Sequence, residues 1–330
     1  MMINENGTAP LTRLNGLFKP GFTNDHKIVI DVKGQRPTPG VYPLGEGPTI
    51  AMFNGRELQA SEDDGQADFH SRFFKKHGFV LLQHESKVQN WDSGAIGATA
   101  SIGDHSVKTQ ADVNEIEEHY LPEVEDIIRN TLLPTKQIAI QQAPMLLRRG
   151  DGTANPFYGQ VVHNDYGLTA DDFEENVAAF AAAEDARGWR GMFEKDEVSG
   201  FMLINFWRTV HMKHPLQHFP LGVLDASSVH RDDIISTGLE GFTMSGRITN
   251  QLSLRYNENQ RWYYYPRMTT NEVLVLKLFE CHKDDDDAAV YNSYHSAFEE
   301  PFPKGDVERR QSCEHRVSVF QLRNQPSQAE

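Results

Sequence analysis

Apolar residues follow a helical spacing in parts of the first half of this chain and short strand-like runs in the second. From Asp112 to Thr131, the spacing of Val113, Ile116, Tyr120, Leu121, Val124, Ile127 and Ile128 predicts an amphipathic helix bent at Pro122. Ala67–Lys76 is polar and helix-compatible, with His77-Gly78 as its end, and Gly78–Leu82 then predicts a buried strand. Ala170, Phe173, Val177, Phe180 and Ala181 recur at helical spacing behind acidic residues that suit a helix N-terminus, so residues 170–195 read as a helical insert. Gln137–Leu147 and Tyr158–Val162 read as strands, the second delivering His163. Further strand-like runs are Gly200–Trp207, Leu221–Asp225, Leu252–Tyr256, Trp262–Tyr265, Glu272–Phe279 and Ser312–Leu322. Helices followed by many turn-separated strands predict a mainly β, α+β fold: a sandwich or barrel with helical padding. The first 65 residues, rich in Gly, Pro, Asn and Asp, are expected to form an arm with a strand or two packing on the body. Residues 66–330 are expected to form a single domain.

Composition narrows the class. With 38% hydrophobic and 24% charged residues the chain suits a soluble globular protein. Its longest nearly apolar run, Val273–Phe279, is interrupted by Lys277 and too short to cross a bilayer. Met1–Pro10 lacks the charged leader and apolar stretch of a secretory signal. A net charge of −15 disfavours nucleic-acid binding through a broad basic face, yet is compatible with a small basic pocket. Cys281 and Cys313 cannot form a zinc knuckle or a disulfide framework. Both are expected to be buried free thiols in a cytoplasmic protein.

Fourteen histidines turn attention to metals. Two imidazoles and a carboxylate on one face of an octahedral ion form the ligand set of non-haem Fe(II) oxygenases. On a strand, His-x-Asp points both side chains the same way. Three such triplets occur: His163-Asn164-Asp165, His230-Arg231-Asp232 and His282-Lys283-Asp284. The first follows an apolar run and precedes the Tyr166-Gly167 turn, where a barrel would place a metal at its mouth. The second sits in a polar stretch and is expected to be exposed. The third opens the acidic run Asp284–Asp287, expected to be a solvated loop.

The third ligand should come from a later strand, followed by a cation for a dicarboxylate cosubstrate. Arginine fits that task because its planar fork meets a carboxylate through two parallel hydrogen bonds. Arg310 lies 15 residues after His295 and 28 after the competitor His282. Arg310-Gln311-Ser312 places a guanidinium and a hydroxyl on one side of a strand, and Arg316-Val317-Ser318 is a second such triplet. The preferred set is therefore His163, Asp165 and His295, with Arg310 and Ser312 for the cosubstrate and Arg316 in reserve. Asn205 and Arg208 are candidates for cosubstrate or substrate contact. Tyr166, Trp207 and the pair Arg148 and Arg149 are further candidates for the substrate pocket.

Taken as an ordered series, several segments resemble one family. They are Val162-His163-Asn164-Asp165-Tyr166, Ile204-Asn205-Phe206-Trp207-Arg208, Asp225-Ala226-Ser227-Ser228-Val229, the run from Tyr256 to Tyr264, His295-Ser296-Ala297-Phe298 and Arg310-Gln311-Ser312. The family is that of gibberellin desaturase-like proteins, the AsaB hydroxylase/desaturase and the CmcJ component of cephamycin methoxylation. The resemblance covers roughly residues 75–322. It departs from the family pattern at Thr209, Glu258 and Gln260, and Arg309 precedes the expected arginine.

The resemblance implies a double-stranded β-helix (jelly-roll, cupin-like) core. It also implies an Fe(II)- and 2-oxoglutarate-dependent oxygenase of secondary metabolism that uses O2, with ascorbate as reductant in vitro. The family's metal ligands carry onto His163, Asp165 and His295, and its 2-oxoglutarate arginine onto Arg310. The expected partner is a small molecule, and a carboxylate-bearing one would suit the pocket arginines. A homodimer or a partner oxygenase subunit stays open. Two rival readings are a cupin-like metalloenzyme without 2-oxoglutarate, which the Arg-x-Ser triplet opposes, and an oxygenase-fold subunit that needs a second protein.

Overall fold

The computed structural model describes residues 9–23, 26–93, 95–96, 114–142, 146–181, 183–284 and 292–323. The first 65 residues supply β1 (Leu11–Arg13), β2 (Ile28–Asp31) and β3 (Thr49–Asn54). Then come β4 (Phe79–Gln83), β5 (Ala95–Ile96), β6 (Ile138–Gln142) and β7 (Leu146–Arg149). The second half adds β8 (Val198–Thr209), β9 (Leu221–Leu224), β10 (Ile234–Glu240) and β11 (Thr249–Leu254). It ends with β12 (Trp262–Tyr264), β13 (Glu272–His282), β14 (His295–Ala297) and β15 (Ser312–Leu322).

These strands form three sheets. The largest runs β4-β13-β8-β15-β7-β5, with β6 also pairing with β15. The second runs β1-β3-β12-β9-β14 and the third β11-β10-β2. Val223 and Tyr263 of the second sheet pack in the same apolar cluster as Phe206, Val275 and Val317 of the first, so the two sheets share a core. Strand β8 is buried over nearly its whole length, which explains why it reads as continuous apolar sequence rather than as an alternation. Strands from the first 65 residues are woven into both smaller sheets: β3 pairs with β12, and β2 with β10. Arg56, just past β3, meets both carboxylate oxygens of Glu272 at 2.6 and 2.9 Å, pinning this segment to the start of β13.

The helices are α1 (Gly55–Glu62), α2 (Phe69–His77), α3 (Leu121–Ile127), α4 (Ala170–Phe180) and α5 (Ala183–Phe193). Helix α2 stops at Gly78, whose φ of 77° is a conformation other residues resist and whose N–H bonds back to the Phe74 carbonyl. The helix expected around Pro122 is α3 flanked by two π-turns, Ile116–Tyr120 and Ile128–Leu132. Its apolar stripe of Ile116, Tyr120, Val124, Ile127 and Ile128 is buried as expected, and Val113 lies outside the described residues. The helical insert is two helices, the first opened by a capping box between Thr169 and Asp172.

Most strand expectations hold to within a few residues, and β15 holds at both ends. Tyr158–Val162 does not: it is irregular backbone with one single bridge, Val161 to Asn15, and the residues that follow add two more, His163 to His295 and Asn164 to Leu252. The run Gln137–Leu147 is split into β6 and β7. Strand β10 and helix α1 were not anticipated, while β14 is the later strand on which the third ligand, His295, was expected. Among the described residues no helix is long and apolar enough to cross a membrane. Both cysteines are buried free thiols, and burial pushes each up to about 12.

Candidate metal centre and anion pocket

Backbone bridges, rather than a regular strand, assemble the metal centre. His163 and His295 face each other as an antiparallel pair, each N–H donating to the other's carbonyl at 3.2 and 3.0 Å. Directly opposed residues share a face, so the two imidazoles lie side by side with ring centroids 4.6 Å apart. Between the first two ligands, Asn164 points the other way and is fully buried. Its side-chain amide donates to the carbonyls of Leu278 at 2.8 Å and Ser293 at 3.1 Å. That clamp holds the triplet extended, which turns His163 and Asp165 to the same side.

Each imidazole is oriented by the carbonyl two residues before it. Nδ1 of His163 bonds Val161 O at 2.6 Å, and Nδ1 of His295 lies 3.4 Å from Ser293 O. Donation from Nδ1 leaves the Nε2 lone pair free to bind a metal. Nε2 of His163 is 3.5 Å from Asp165 Oδ1, and Nε2 of His295 is 3.9 Å from Asp165 Oδ2. One ligand atom from each of the three residues lies within 4.8 Å of the others. Asp165 Oδ2 is buried without a hydrogen bond.

The electrostatics suit a cation. Burial would raise the Asp165 carboxyl, but the Arg316 charge and the adjoining His163 imidazole hold it well below the usual range. Burial, with His163 alongside, pushes His295 down to about 4, which leaves it a neutral donor at pH 7. The donor set therefore fits Fe(II) as a two-histidine, one-carboxylate face.

Next to the triad, β15 presents Ser312, Glu314 and Arg316 on one face by strand alternation. Register places Thr209, Trp207 and Asn205 of β8 opposite them, and Arg149 of β7 opposite Ser312. Arg316 sits 3.3 Å from Asp165 Oδ2, 3.7 Å from Glu314 and 3.3 Å from the Tyr166 hydroxyl. Asn205 donates to Glu314 at 3.2 Å.

Arg310 is different. Its guanidinium is buried over the Tyr158 ring at 4.0 Å and near Trp207 at 5.5 Å. Its Nη1 donates to the carbonyl of Phe219, a residue held at a positive φ of 48°. No carboxylate pairs with it among the described residues. Burial and the Arg149 charge push it down to about 9. Its Nε, Ser312 Oγ, Thr209 Oγ1 and Asn205 Oδ1 are all buried and unpartnered. Buried polar atoms are normally satisfied, and here four unpartnered ones lie along one face next to the triad.

The structure thus brings His163, Asp165, His295, Tyr166, Asn205, Trp207, Ser312 and Arg316 to one region, with Arg310 at its edge. Two expected pocket residues are not there. Arg148 turns to the opposite face, bonding Asp92 and the Ser312 carbonyl. Arg208 also turns away, lying over Trp91 at 4.7 Å and bonding the His84 and Thr270 carbonyls. Parity explains both corrections: they neighbour Arg149 and Trp207, which do face the site. His230 is exposed as expected, and His282 ends β13 bound to Glu280 at 2.9 Å. Asp284 pairs with Arg323 at 3.3 Å, while the rest of the acidic run lies outside the described residues. Asn164 and Glu314 were not singled out from the sequence. Both could have been found by strand parity, Asn164 as the residue between two ligands and Glu314 as the position two after Ser312.

A family model described as an Oxidoreductase/YMDC permease-like domain matches residues 62–320. Aspirochlorine biosynthesis protein N of Aspergillus oryzae is 30% identical over 120 residues, covering 36% of this chain and 47% of that protein. The Fe(II)/2-oxoglutarate-dependent dioxygenase nvfI of Aspergillus novofumigatus is 28% identical over 122 residues, covering 37% and 41%. The hydroxylase/desaturase asaB of Aspergillus flavus is 26% identical over 165 residues, covering 44% and 67%. The chain therefore spans less than half the length of the first two of these relatives. The solved structure of the iron and alpha-ketoglutarate-dependent endoperoxidase NvfI superposes with a TM-score of 0.62 at 19% identity, over 96% of this chain and 99% of that one. That likeness shows the fold, a jelly-roll core with helical padding.

Proposed function

This chain belongs to the Oxidoreductase/YMDC permease-like domain family, and from that premise we propose that it is an Fe(II)- and 2-oxoglutarate-dependent oxygenase acting on a small molecule of secondary metabolism. The observation that carries this reading is the pairing of a two-histidine, one-carboxylate cluster with unpartnered Arg310 Nε and Ser312 Oγ nearby. The residues that would hold the metal are His163, Asp165 and His295. Bound iron supplies oxidising chemistry with O2, coupled to conversion of 2-oxoglutarate into succinate and CO2. Arg310 and Ser312 would take the distal carboxylate of 2-oxoglutarate, the ligand that their orphaned donors fit. Trp207 and Tyr158 would wall that carboxylate from water, strengthening its pairing with Arg310. Names borne by the relatives, hydroxylase/desaturase and endoperoxidase, make hydroxylation, desaturation or ring closure the outcomes in view.

The test is succinate release by purified protein supplied with Fe(II), ascorbate, O2 and 2-oxoglutarate. Metal-dependent succinate formation, stimulated by a small-molecule substrate, is expected. Turnover that proceeds equally without 2-oxoglutarate would instead support the cupin-like alternative.

A further inference from the structure

Arg149 lies on the site face of β7, opposite Ser312, with its side chain 18% exposed. It contacts Glu314 through a single carboxylate oxygen, Oε1, at 3.4 Å from Nε and 3.3 Å from Nη2. That is a long, one-oxygen contact rather than the two-oxygen fork that an arginine makes when its carboxylate is well placed. Outward from it lies the Phe157 ring, 5.5 Å from the guanidinium carbon and 53% exposed. Val161, two residues before the first metal ligand, is also exposed, at 44%. A cation held through one carboxylate oxygen and flanked by an exposed aromatic ring therefore lies near enough to the metal centre for its charge to act on His163.

The charges on this face do not cancel. Among the described residues it carries three guanidinium groups, Arg149, Arg310 and Arg316, against two carboxylates, Asp165 and Glu314. Fe(II) and 2-oxoglutarate bring a dication and a dianion, which offset each other. With Arg310 assigned to the cosubstrate, the positive charge left over falls to Arg149 and Arg316, and Arg149 is the one of the two that does not touch a metal ligand. An uncompensated charge at a partly buried site is costly, and a ligand that supplies the opposite charge gains from it.

We propose that Arg149 is a specificity-determining residue that receives the carboxylate of an apolar, monocarboxylic substrate, and that Glu314 is its internal stand-in when substrate is absent. The proposal rests on the oxygenase reading above and deepens it by naming the substrate class. Glu314 keeps Arg149 turned to the site and competes with the incoming carboxylate. Removing the two partners should therefore move affinity in opposite directions, which a purely structural ion pair would not do.

The experiment uses protein loaded anaerobically with Fe(II) and 2-oxoglutarate, in which the charge-transfer absorption of the iron-bound keto acid reports that the cosubstrate is in place. Phenylacetate and its neutral isostere phenylacetamide are then titrated by calorimetry. The wild type should bind phenylacetate about tenfold more tightly, as expected for one charge-assisted pair. Arg149→Gln should bring the two probes to within about twofold while the absorption is unchanged. Glu314→Gln, which retains the shape and the Asn205 contact, should tighten phenylacetate about threefold and leave phenylacetamide alone. Equal binding of the two probes to wild type, binding of neither, or weaker phenylacetate binding in Glu314→Gln overturns the assignment with the oxygenase reading intact. Absence of the absorption in wild type overturns that reading, and this inference with it.

Discussion

Two of the His-x-Asp histidines, His163 and His282, each sit in a cluster with acidic side chains, and the two clusters differ in whether their polar atoms are already satisfied. At the end of β13, Glu280 accepts from Lys277 at 2.6 Å and from Gln321 at 3.4 Å, and its other contact is His282 at 2.9 Å. Every charge there has a partner within the cluster. At His163, Asp165 and His295 the nitrogen and oxygen atoms converge without bonding one another, and the neighbouring Arg310, Ser312, Thr209 and Asn205 carry orphaned atoms. The same residue types make a closed structural lock in one place and an open ligand site in the other. Unspent hydrogen-bonding and coordinating capacity, rather than residue identity, marks the functional one.

The sharpest way to break the comparison is through iron. His295→Ala removes one of three ligands and should lower Fe(II) affinity by about a hundredfold or more, since an open two-ligand face holds the ion weakly. His282→Ala should leave it within about twofold. Metal content after gel filtration in Fe(II) checks both, and a reversed result would move the centre to β13.

Arg310 comes next because function and stability pull on it in opposite directions. A buried guanidinium without a carboxylate is held at a cost, which is what its depressed value of about 9 expresses. Arg310→Leu should weaken 2-oxoglutarate about a hundredfold while raising the stability of the ligand-free protein by about 1 kcal/mol or more. Thermal unfolding with and without 2-oxoglutarate reads both effects. A variant both less stable and still able to bind would show that Arg310 belongs to the scaffold.

The closed cluster makes the contrasting prediction. Burial would raise Glu280, but Lys277 and His282 hold it down at about 2, against an ordinary 4.5. A carboxyl whose folded value is depressed contributes stability that is fully present above its unfolded value. That contribution is lost as pH falls from about 4.5 towards 2. Glu280→Gln should therefore cost about 2 kcal/mol at pH 7 and flatten the stability–pH curve across that window, with Fe(II) affinity untouched. Denaturant melts at a series of pH values measure it.

How far the site was legible follows from the same physics. Pattern alone located β15 at both ends and placed Ser312 and Arg316 on one face, because alternation is a property of a single strand. It failed for Arg148 and Arg208, because which of two neighbouring positions faces the cavity depends on the partner strand's register. It read a strand into Tyr158–Val162, where irregular backbone running on to Asn164 is held by three isolated bridges to distant segments. Those bridges reach to residues 15, 252 and 295 and have no local signature. The choice of His295 over His282 needed the spacing to Arg310, since both sit on strands. Glu314 was not singled out, although alternation puts it on the face of Ser312 and Arg316, where Arg149 and Arg316 flank it.

The smallest expected effect tests whether the orphaned hydroxyls belong to the ligand. Ser312 is buried, and its Oγ has no partner among the described residues. An unpartnered buried hydroxyl contributes nothing to the ligand-free fold that alanine would lose, so Ser312→Ala should leave the melting temperature unchanged or slightly raised. In the complex the same hydroxyl would donate to a carboxylate. A hydrogen bond to a charged group is worth about 1.5 kcal/mol or more, so the 2-oxoglutarate dissociation constant should rise about tenfold. Ser318 sits in the second Arg-x-Ser triplet, beyond an Arg316 already paired with Asp165 and Glu314. Ser318→Ala should leave that constant within about twofold. If the two serine variants behaved alike, β15 would have no preferred anion end and the pairing of Arg310 with Ser312 would lose its support.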